Sequence, residues 1–386
     1  MLKFILHKPI AFLTSLVLST GVVAATAQIS PAQQQIDDLG TSGASDLNTA
    51  ATSNRNDPLN QLLREARRLT NARNFPAALA AFYRAAELDR SNPRIFSGMG
   101  FLYATQGNFE NAIAAYQQAI TLEPRNAEFH HALGFSLANL GRTADAIAAY
   151  RQAVQFNPRH VNANLAIGVL LSRQGKYEEA LETYRRVAAI APQHFKAQEL
   201  LGTALIQLKR PRDAFAPLQQ AARIAPRQAI VRVHIGTAWL QLKDYPKAQS
   251  SFARAVELEP RNPSIHLQIG RAWQAAGQLE PAMSAFRRVI ALQPTSADAH
   301  LGVGDVFFDQ GNFSSAVNLY RQAIALAPQD PDSHVKLGKA MKELGRKQEA
   351  ISSLEVAKRL MQQQSAPSDR LTELETLLRE LKQVAG

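Results

Sequence analysis

The chain of 386 residues contains no cysteine, and only 7% of its residues are aromatic. The absence of cysteine excludes disulfides, thiol nucleophiles, cysteine-based zinc or iron–sulfur sites and a lipid-modified cysteine at an export site. The sequence also has no Gly-rich phosphate loop and no HExxH or GxSxG motif. Those motifs mark nucleotide binding, zinc proteolysis and serine hydrolysis. We therefore predict that the protein is not an enzyme and holds no cofactor and no metal.

The residues that are present favour helices and a positive surface. Hydrophobic residues make up 46% of the chain, and alanine and leucine dominate them, which favours helix over sheet. The formal net charge is +11. Such a charge suits nucleic acid, an anionic membrane or an acidic protein partner, so the position of the basic residues has to distinguish these partners.

Residues 1–27 have the pattern of a signal peptide. Lys3 and Lys8 precede an apolar stretch at 10–23, and Ala25 and Ala27 form a small-x-small cleavage site before Gln28. The stretch is shorter than the ~20 residues of a membrane-spanning helix, although an uncleaved anchor remains the alternative. We predict export to the periplasm, with the thylakoid lumen and the extracellular medium left open. Residues 28–58 are polar, and we predict a disordered linker there.

Three residue types recur along the chain with one period of 34 residues. A period of this length indicates stacked supersecondary units. Prolines stand at 124, 158, 192, 226, 260, 294 and 328, glycines at 100, 134, 168, 202, 236, 270, 304 and 338, and alanines at nine positions from 78 to 350. Within a unit, apolar residues recur at helical spacing in two stretches, which predicts two helices joined by a short turn.

This pattern of Gly, Ala, aromatic and closing Pro resembles the tetratricopeptide repeat. The resemblance implies an all-α fold, a right-handed superhelical solenoid of stacked antiparallel helix hairpins. It divides the chain into nine 34-residue units at 59–364 and a capping helix at 365–386. We expect Gly134, inside a first helix, to allow close approach of Ala146 and Ala153, with Tyr150 filling the space between adjacent hairpins.

The resemblance also implies that a partner lies in a concave groove lined by the first helices. The repeat phase predicts the following groove residues: Phe101, Glu128, Phe135, Asn139, Arg173, Ile206, Ile230, Val233, Leu240, Arg271, Asp298, Asp305, Phe308, Asp309, Lys339 and Lys342. The groove would be apolar in the middle, acidic in the eighth unit and basic in the ninth. The alternative for the apolar residues is packing against the next hairpin. A protein segment or helix, apolar at its centre and charged at one end, would match this groove.

The fifth unit departs from the repeat pattern at a proline. Pro217 falls inside the second helix of the fifth unit, where we expect a kink that is either a hinge or a tolerated irregularity.

Histidines recur at two repeat positions, and parallel helices ~8–10 Å apart should present them side by side rather than converging on a metal. We therefore interpret them as packing residues: His130, His266, His300 and His334 at one position, and His160 and His194 at the other.

The basic residues fall mainly on second helices and hairpin junctions. Arg151, Arg185, Arg287 and Arg321 share one repeat position. We interpret these rows as a solvated outer face, with weak contact to anionic membrane or cell-wall polymer as the alternative. Nucleic acid does not fit an exported chain whose basic rows lack aromatic stacking residues. The sequence thus predicts a protein-binding scaffold of the cell envelope, acting in assembly or stability of a protein complex, and leaves the partner and the oligomeric state undetermined.

Overall fold

The computed structural model describes residues 57–364 and 368–383. Over these ranges it contains nineteen helices and no strand. The predicted signal peptide and nearly all of the predicted linker lie outside the described residues. The chain divides into two compact units at Ala204–Leu205, and each is described here by itself. We call them the N-terminal unit (57–204) and the C-terminal unit (205–383).

Along the chain the helices alternate as the first and second helices of nine repeat units, and one final helix follows. Odd numbers up to α17 denote first helices and even numbers denote second helices. The bounds are α1 Pro58–Asn71, α2 Phe75–Leu88, α3 Pro93–Thr105, α4 Phe109–Leu122, α5 Ala127–Asn139, α6 Thr143–Phe156, α7 Val161–Arg173, α8 Tyr177–Ile190, α9 Phe195–Gln207, α10 Pro211–Ile224, α11 Ala229–Gln241, α12 Tyr245–Leu258, α13 Pro263–Ala275, α14 Leu279–Leu292, α15 Ala297–Asp309, α16 Phe313–Leu326, α17 Pro331–Glu343, α18 Lys347–Gln363 and α19 Ser368–Gln383.

Polar residues start most of these helices. The side chains of Asn92, Asn126 and Asn262 accept hydrogen bonds from the first backbone N–H groups of α3, α5 and α13. His160 does the same for α7 through Nδ1, at 3.3 Å from the nitrogen of Ala163. These bonds satisfy donors that have no partner inside the helix.

The turn inside a hairpin needs one residue with a left-handed backbone. Glycine supplies it in six repeats, for example Gly141 with φ of 75°. Arg73, Lys209 and Lys243 adopt the same conformation, with φ between 57° and 60°. These three side chains strain the backbone where glycine would not.

Glycines inside the first helices make room for an aromatic ring. A Cβ atom at position 134 would lie 2.8 Å from the ring of Tyr150. The nearest atoms to this position are those of the Tyr150 ring of the same hairpin, and Ala146 and Ala153 are fully buried. Phe286 does lie between adjacent hairpins, as expected for an aromatic residue at this repeat position. Its ring lies against Gly270 of its own hairpin and Gly302 of the next.

The last helix covers the end of the C-terminal unit. Leu374, Leu378 and Leu381 of α19 are buried in one cluster with Leu354 and Met361 of α18. An amphipathic helix that buries its leucines in this way shields the apolar face of the last hairpin.

Two further observations bear on the sequence predictions. Helix α10 continues through Pro217, which is buried, so the proline does not end the helix. In the described part of the chain, no helix combines the length and the apolarity needed to cross a membrane.

Candidate functional site

Ion pairs join neighbouring first helices in the C-terminal unit. Arg271 of α13 donates to the carboxylate of Asp298 in α15 at 2.8 Å, and Gln274 donates to Asp309 at 3.4 Å. Because the partners lie one repeat apart, each contact holds one hairpin in register with the next. We call the surface formed by α13, α15 and α17 the charged face.

The best-connected group of the charged face is Asp305. Lys336 of α17 donates to both of its carboxylate oxygens at 2.8 Å, and the Tyr320 hydroxyl donates to Oδ1 at 2.9 Å. The carboxylate and the ammonium are only 21% and 27% exposed. Burial, followed by the charge of Asp305, raises the pKa of Tyr320, so the phenol stays protonated and can donate.

The remaining charges of this face are more exposed. Asp309, Lys339 and Lys342 are exposed, and Phe308 beside them is half-buried. Desolvation raises the pKa of Asp309 and lowers that of Lys339, since burial disfavours the charged form of each. Asp305, Arg271 and Asp298, which the sequence predicted as groove residues, form ion pairs within the chain.

Four of the apolar groove predictions need correction. Phe101, Ile206, Val233 and Leu240 are each no more than 6% exposed. They belong to the core. These four residues therefore fit the alternative, in which apolar residues pack inside the repeats, and they offer little surface to a partner. The repeat phase predicts which helix carries a residue. The direction of its side chain depends on the exact position around that helix, and a difference of one position is enough to point it into the core.

Other predicted residues retain some accessible surface. Ile230 is half-buried, and Arg173 is exposed. Phe135 packs edge-on against Phe109, with ring centres 6.3 Å apart, and the exposed Asn139 donates to the Phe135 carbonyl at 2.9 Å. Part of the polar capacity of Asn139 is therefore used within its own helix.

Glu128 lies in a cluster that the sequence did not predict. It is exposed at the start of α5, and its Oε1 lies 3.3 Å from Nε2 of His160. His131, one turn further along α5, stacks on His160 with ring centres 4.7 Å apart. One ligand atom from each of the three residues lies within 4.8 Å of the other two. The interpretation of His160 as a packing residue did not include this contact with His131 and Glu128.

The other repeated histidines make single backbone contacts. His130 and His266 donate through Nε2 to the carbonyls of Pro124 and Pro260, at 2.8 and 3.0 Å. His300 donates through Nδ1 to the Ser296 carbonyl at 2.9 Å. These contacts tie a first helix to the turn before it, which suits the interpretation of these residues as packing residues.

Sequence reasoning missed Lys336, Tyr320, Gln274 and His131. Opposite charges at Asp305 and Lys336 are 31 residues apart, and those at Arg271 and Asp298 are 27 apart. A search for opposite charges somewhat less than one repeat apart would have found both pairs. No comparable signal existed for His131, because it occurs at its repeat position once.

Two models of known protein families match parts of this chain. One model, of the TPR repeat, matches residues 102–141 and 304–345, and another, of the tetratricopeptide repeat, matches 137–204, 171–234 and 239–304. The matches together span more than half of the chain. The chain belongs to the tetratricopeptide repeat family. Proteins of this family are protein-interaction scaffolds, and the fold is typically non-catalytic.

Solved structures show the same fold. A tetratricopeptide repeat protein from Parabacteroides merdae is similar at 17% identity and a TM-score of 0.58, over 65% of this chain and 99% of that one. The C-terminal part of a TPR repeat-containing protein from Cytophaga hutchinsonii is similar at 16% identity and a TM-score of 0.50, over 62% of this chain and 99% of that one. A search of curated proteins finds no match.

Proposed function

We propose that this tetratricopeptide repeat protein is a non-enzymatic scaffold of the bacterial cell envelope. It holds a segment of a partner protein along the charged face and acts in assembly or stability of a protein complex. The observation that carries the proposal is the set of side-chain contacts between α13, α15 and α17, because it joins three first helices into one ordered surface.

The exposed residues of that surface define the partner. Phe308 offers half-buried apolar area, Asp309 offers a carboxylate, and Lys342 offers an ammonium group. A segment with an apolar residue between a basic and an acidic end would match this order of groups. Asp305 is not part of the recognition set, because Lys336 and Tyr320 already occupy its oxygens.

Site-specific photo-crosslinking in the native cell tests this proposal. A photoreactive amino acid at position 308 should capture a defined protein, and the same group at the exposed Gln322 of α16 serves as the control position. Replacing Asp309 and Lys342 with residues of opposite charge should strongly reduce capture at 308. Equal capture at 308 and 322, or capture that the two replacements leave unchanged, would contradict the proposal.

The rival function is binding of anionic lipid or envelope polymer through the basic outer face. Several arginines of that face have acidic neighbours: Arg185 contacts Glu182 at 2.7 Å, and Arg321 contacts Glu349 at 3.4 Å. These contacts lower the net positive charge available to a polymer. If replacing Arg151, Arg185, Arg287 and Arg321 with glutamine removes vesicle or cell-wall binding while capture at 308 persists, the chain has both functions.

The envelope location is supported by the basic head, the apolar stretch and the small-x-small site of residues 1–27. Cell fractionation should recover the protein in the periplasm, and mass spectrometry should find a mature N-terminus at Gln28. A full-length chain in the cytosol would contradict this part of the proposal, and a full-length chain in the membrane fraction would indicate an uncleaved anchor.

A further inference from the structure

We infer that Glu128, His131 and His160 form a binding site for a divalent metal ion of the zinc class. The three side chains come from the repeat unit 127–160: Glu128 and His131 from α5, and His160, the last residue of the unit, from the position before α7. Two imidazoles and one carboxylate are a common ligand set for zinc sites that keep a fourth position for water or another ligand.

The first argument is that the cluster contains ring nitrogens without partners. Nδ1 of His131 is buried and makes no hydrogen bond, and the buried Nε2 of His160 has only the Glu128 carboxylate beside it, at 3.3 Å and outside hydrogen-bond geometry. Buried polar atoms in proteins almost always have a partner, so two such atoms in one cluster need an explanation. Stacking of the two rings at 4.7 Å brings both into the same small volume.

The second argument is ligand chemistry. The cluster offers two imidazoles and one carboxylate, and one ligand atom of each lies within 4.8 Å of the other two. An imidazole binds a metal ion through a ring nitrogen that carries no proton. Neutral imidazoles select zinc-class ions over calcium and magnesium, which prefer oxygen ligands.

Binding requires two local adjustments. The ligand atoms lie within 4.8 Å of one another, whereas tetrahedral zinc with bonds of about 2.0 Å brings its ligands to about 3.3 Å. The exposed Glu128 side chain can move inward to close this gap. His160 accepts from the Ala163 nitrogen through Nδ1 at 3.3 Å, so coordination by Nε2 moves the ring proton to Nδ1 and gives up this long hydrogen bond. The carboxylate also offsets the positive end of α7.

The repeats provide an internal comparison. His194, one repeat after His160, accepts in the same way from the Ala197 nitrogen at 3.2 Å. The residues one repeat after Glu128 and His131 are Asn162 and Leu165, so His194 has no equivalent ligand set. A role in helix capping alone therefore does not require the other two ligands, and the cluster is a property of this one repeat unit.

Isothermal titration of Zn²⁺ into the full chain, produced without a histidine tag and stripped with EDTA, tests the site. We expect one tightly bound ion per chain. His160→Asn removes a ligand but keeps a capping residue that three other first helices use. His160→Asn and Glu128→Gln should each weaken binding by at least about tenfold, and His194→Asn is the matched control that should bind like the parent chain. Circular dichroism checks that each variant is folded.

Co²⁺ provides a second readout. Visible absorption typical of tetrahedral cobalt should appear with the parent chain and with His194→Asn, and it should be lost with His160→Asn. The inference is overturned if the parent chain binds no Zn²⁺, if the two ligand variants bind as tightly as the parent, or if His194→Asn weakens binding as much as His160→Asn does. The outcome does not depend on a protein partner, so it is separate from the proposed scaffold function.

Discussion

The two units use the same exposed acidic position in different ways. Glu128 in the N-terminal unit and Asp298 in the C-terminal unit occupy the same repeat position. Asp298 pairs with Arg271 of the preceding repeat at 2.8 Å, whereas Glu128 faces His160 of its own repeat across 3.3 Å, in a cluster where the buried Nδ1 of His131 makes no hydrogen bond. One backbone repeat thus supports a paired surface in one unit and an unsatisfied cluster in the other. The side chains placed on the repeat determine what each site can do, and the shared fold does not.

Acid should separate the two units most clearly. The pKa of His131 falls from an ordinary value near 6.5 to about 4 in the folded chain. Between these values the unfolded chain takes up a proton that the folded chain refuses, so stability is lost as pH falls from 6.5 to 4. Through His131 alone, the free energy of unfolding should fall by up to about 3 kcal/mol.

Urea unfolding in EDTA can measure this effect for each unit. Both tryptophans, Trp239 and Trp273, lie in the C-terminal unit, so their fluorescence reports that unit, and circular dichroism reports all helices. From pH 7.5 to 4.5 the dichroism midpoint should fall further than the fluorescence midpoint, and His131→Leu should reduce the difference. An equal acid response in the parent and in His131→Leu would count against this account.

The next largest effect should come from Asp305→Ala in the C-terminal unit. The change leaves the ammonium of Lys336 and the hydroxyl of Tyr320 without their acceptor. We expect the free energy of unfolding to fall by about 2 kcal/mol, as measured by tryptophan fluorescence during urea unfolding. Asp309→Ala, one turn away on the exposed end of α15, is the control and should change stability by no more than about 0.5 kcal/mol. Equal losses in both variants would mean that the Asp305 network is not stabilising.

His131→Leu should have the opposite sign at pH 7.5. Leucine stands at the same repeat position in Leu165, Leu267 and Leu301, so the site accepts its shape. Removing a buried nitrogen without a partner should stabilise the N-terminal unit by about 1 kcal/mol in EDTA, measured by dichroism in urea. A loss of stability would indicate that Nδ1 is satisfied in solution, for example by a buried water molecule.

The sequence predicted the fold because the repeat requires particular residues. Glycines at 134 and 270 face aromatic rings that no Cβ atom could approach, and the prolines follow the second helices. Each requirement is local and recurs every 34 residues, so it can be read from one chain. The family assignment and the all-helical class followed from this pattern.

The sites were less predictable because they depend on contacts between repeats. Asp305 was predicted as a groove residue, but its pairing with Lys336 depends on which faces of α15 and α17 meet. Phe101 and Val233 were placed on the correct helices, yet their side chains turn into the core. His131 and His160 meet only because α5 and the start of α7 lie side by side. Single-residue periodicity does not encode these relations.

The smallest expected effect is one that the two units should share. Arg73 in the N-terminal unit and Lys243 in the C-terminal unit both hold a left-handed backbone, with φ of 57° and 60°. Glycine at either position removes the strain of the side chain but adds freedom to the unfolded chain, for a net gain of about 0.5 kcal/mol. Arg73→Gly should raise the dichroism midpoint in urea, and Lys243→Gly should also raise the fluorescence midpoint. Similar gains would show that the turns behave alike in both units, so that the difference between the units lies in their side-chain clusters. Losses in both would mean that Arg73 and Lys243 make contacts that outweigh the backbone strain.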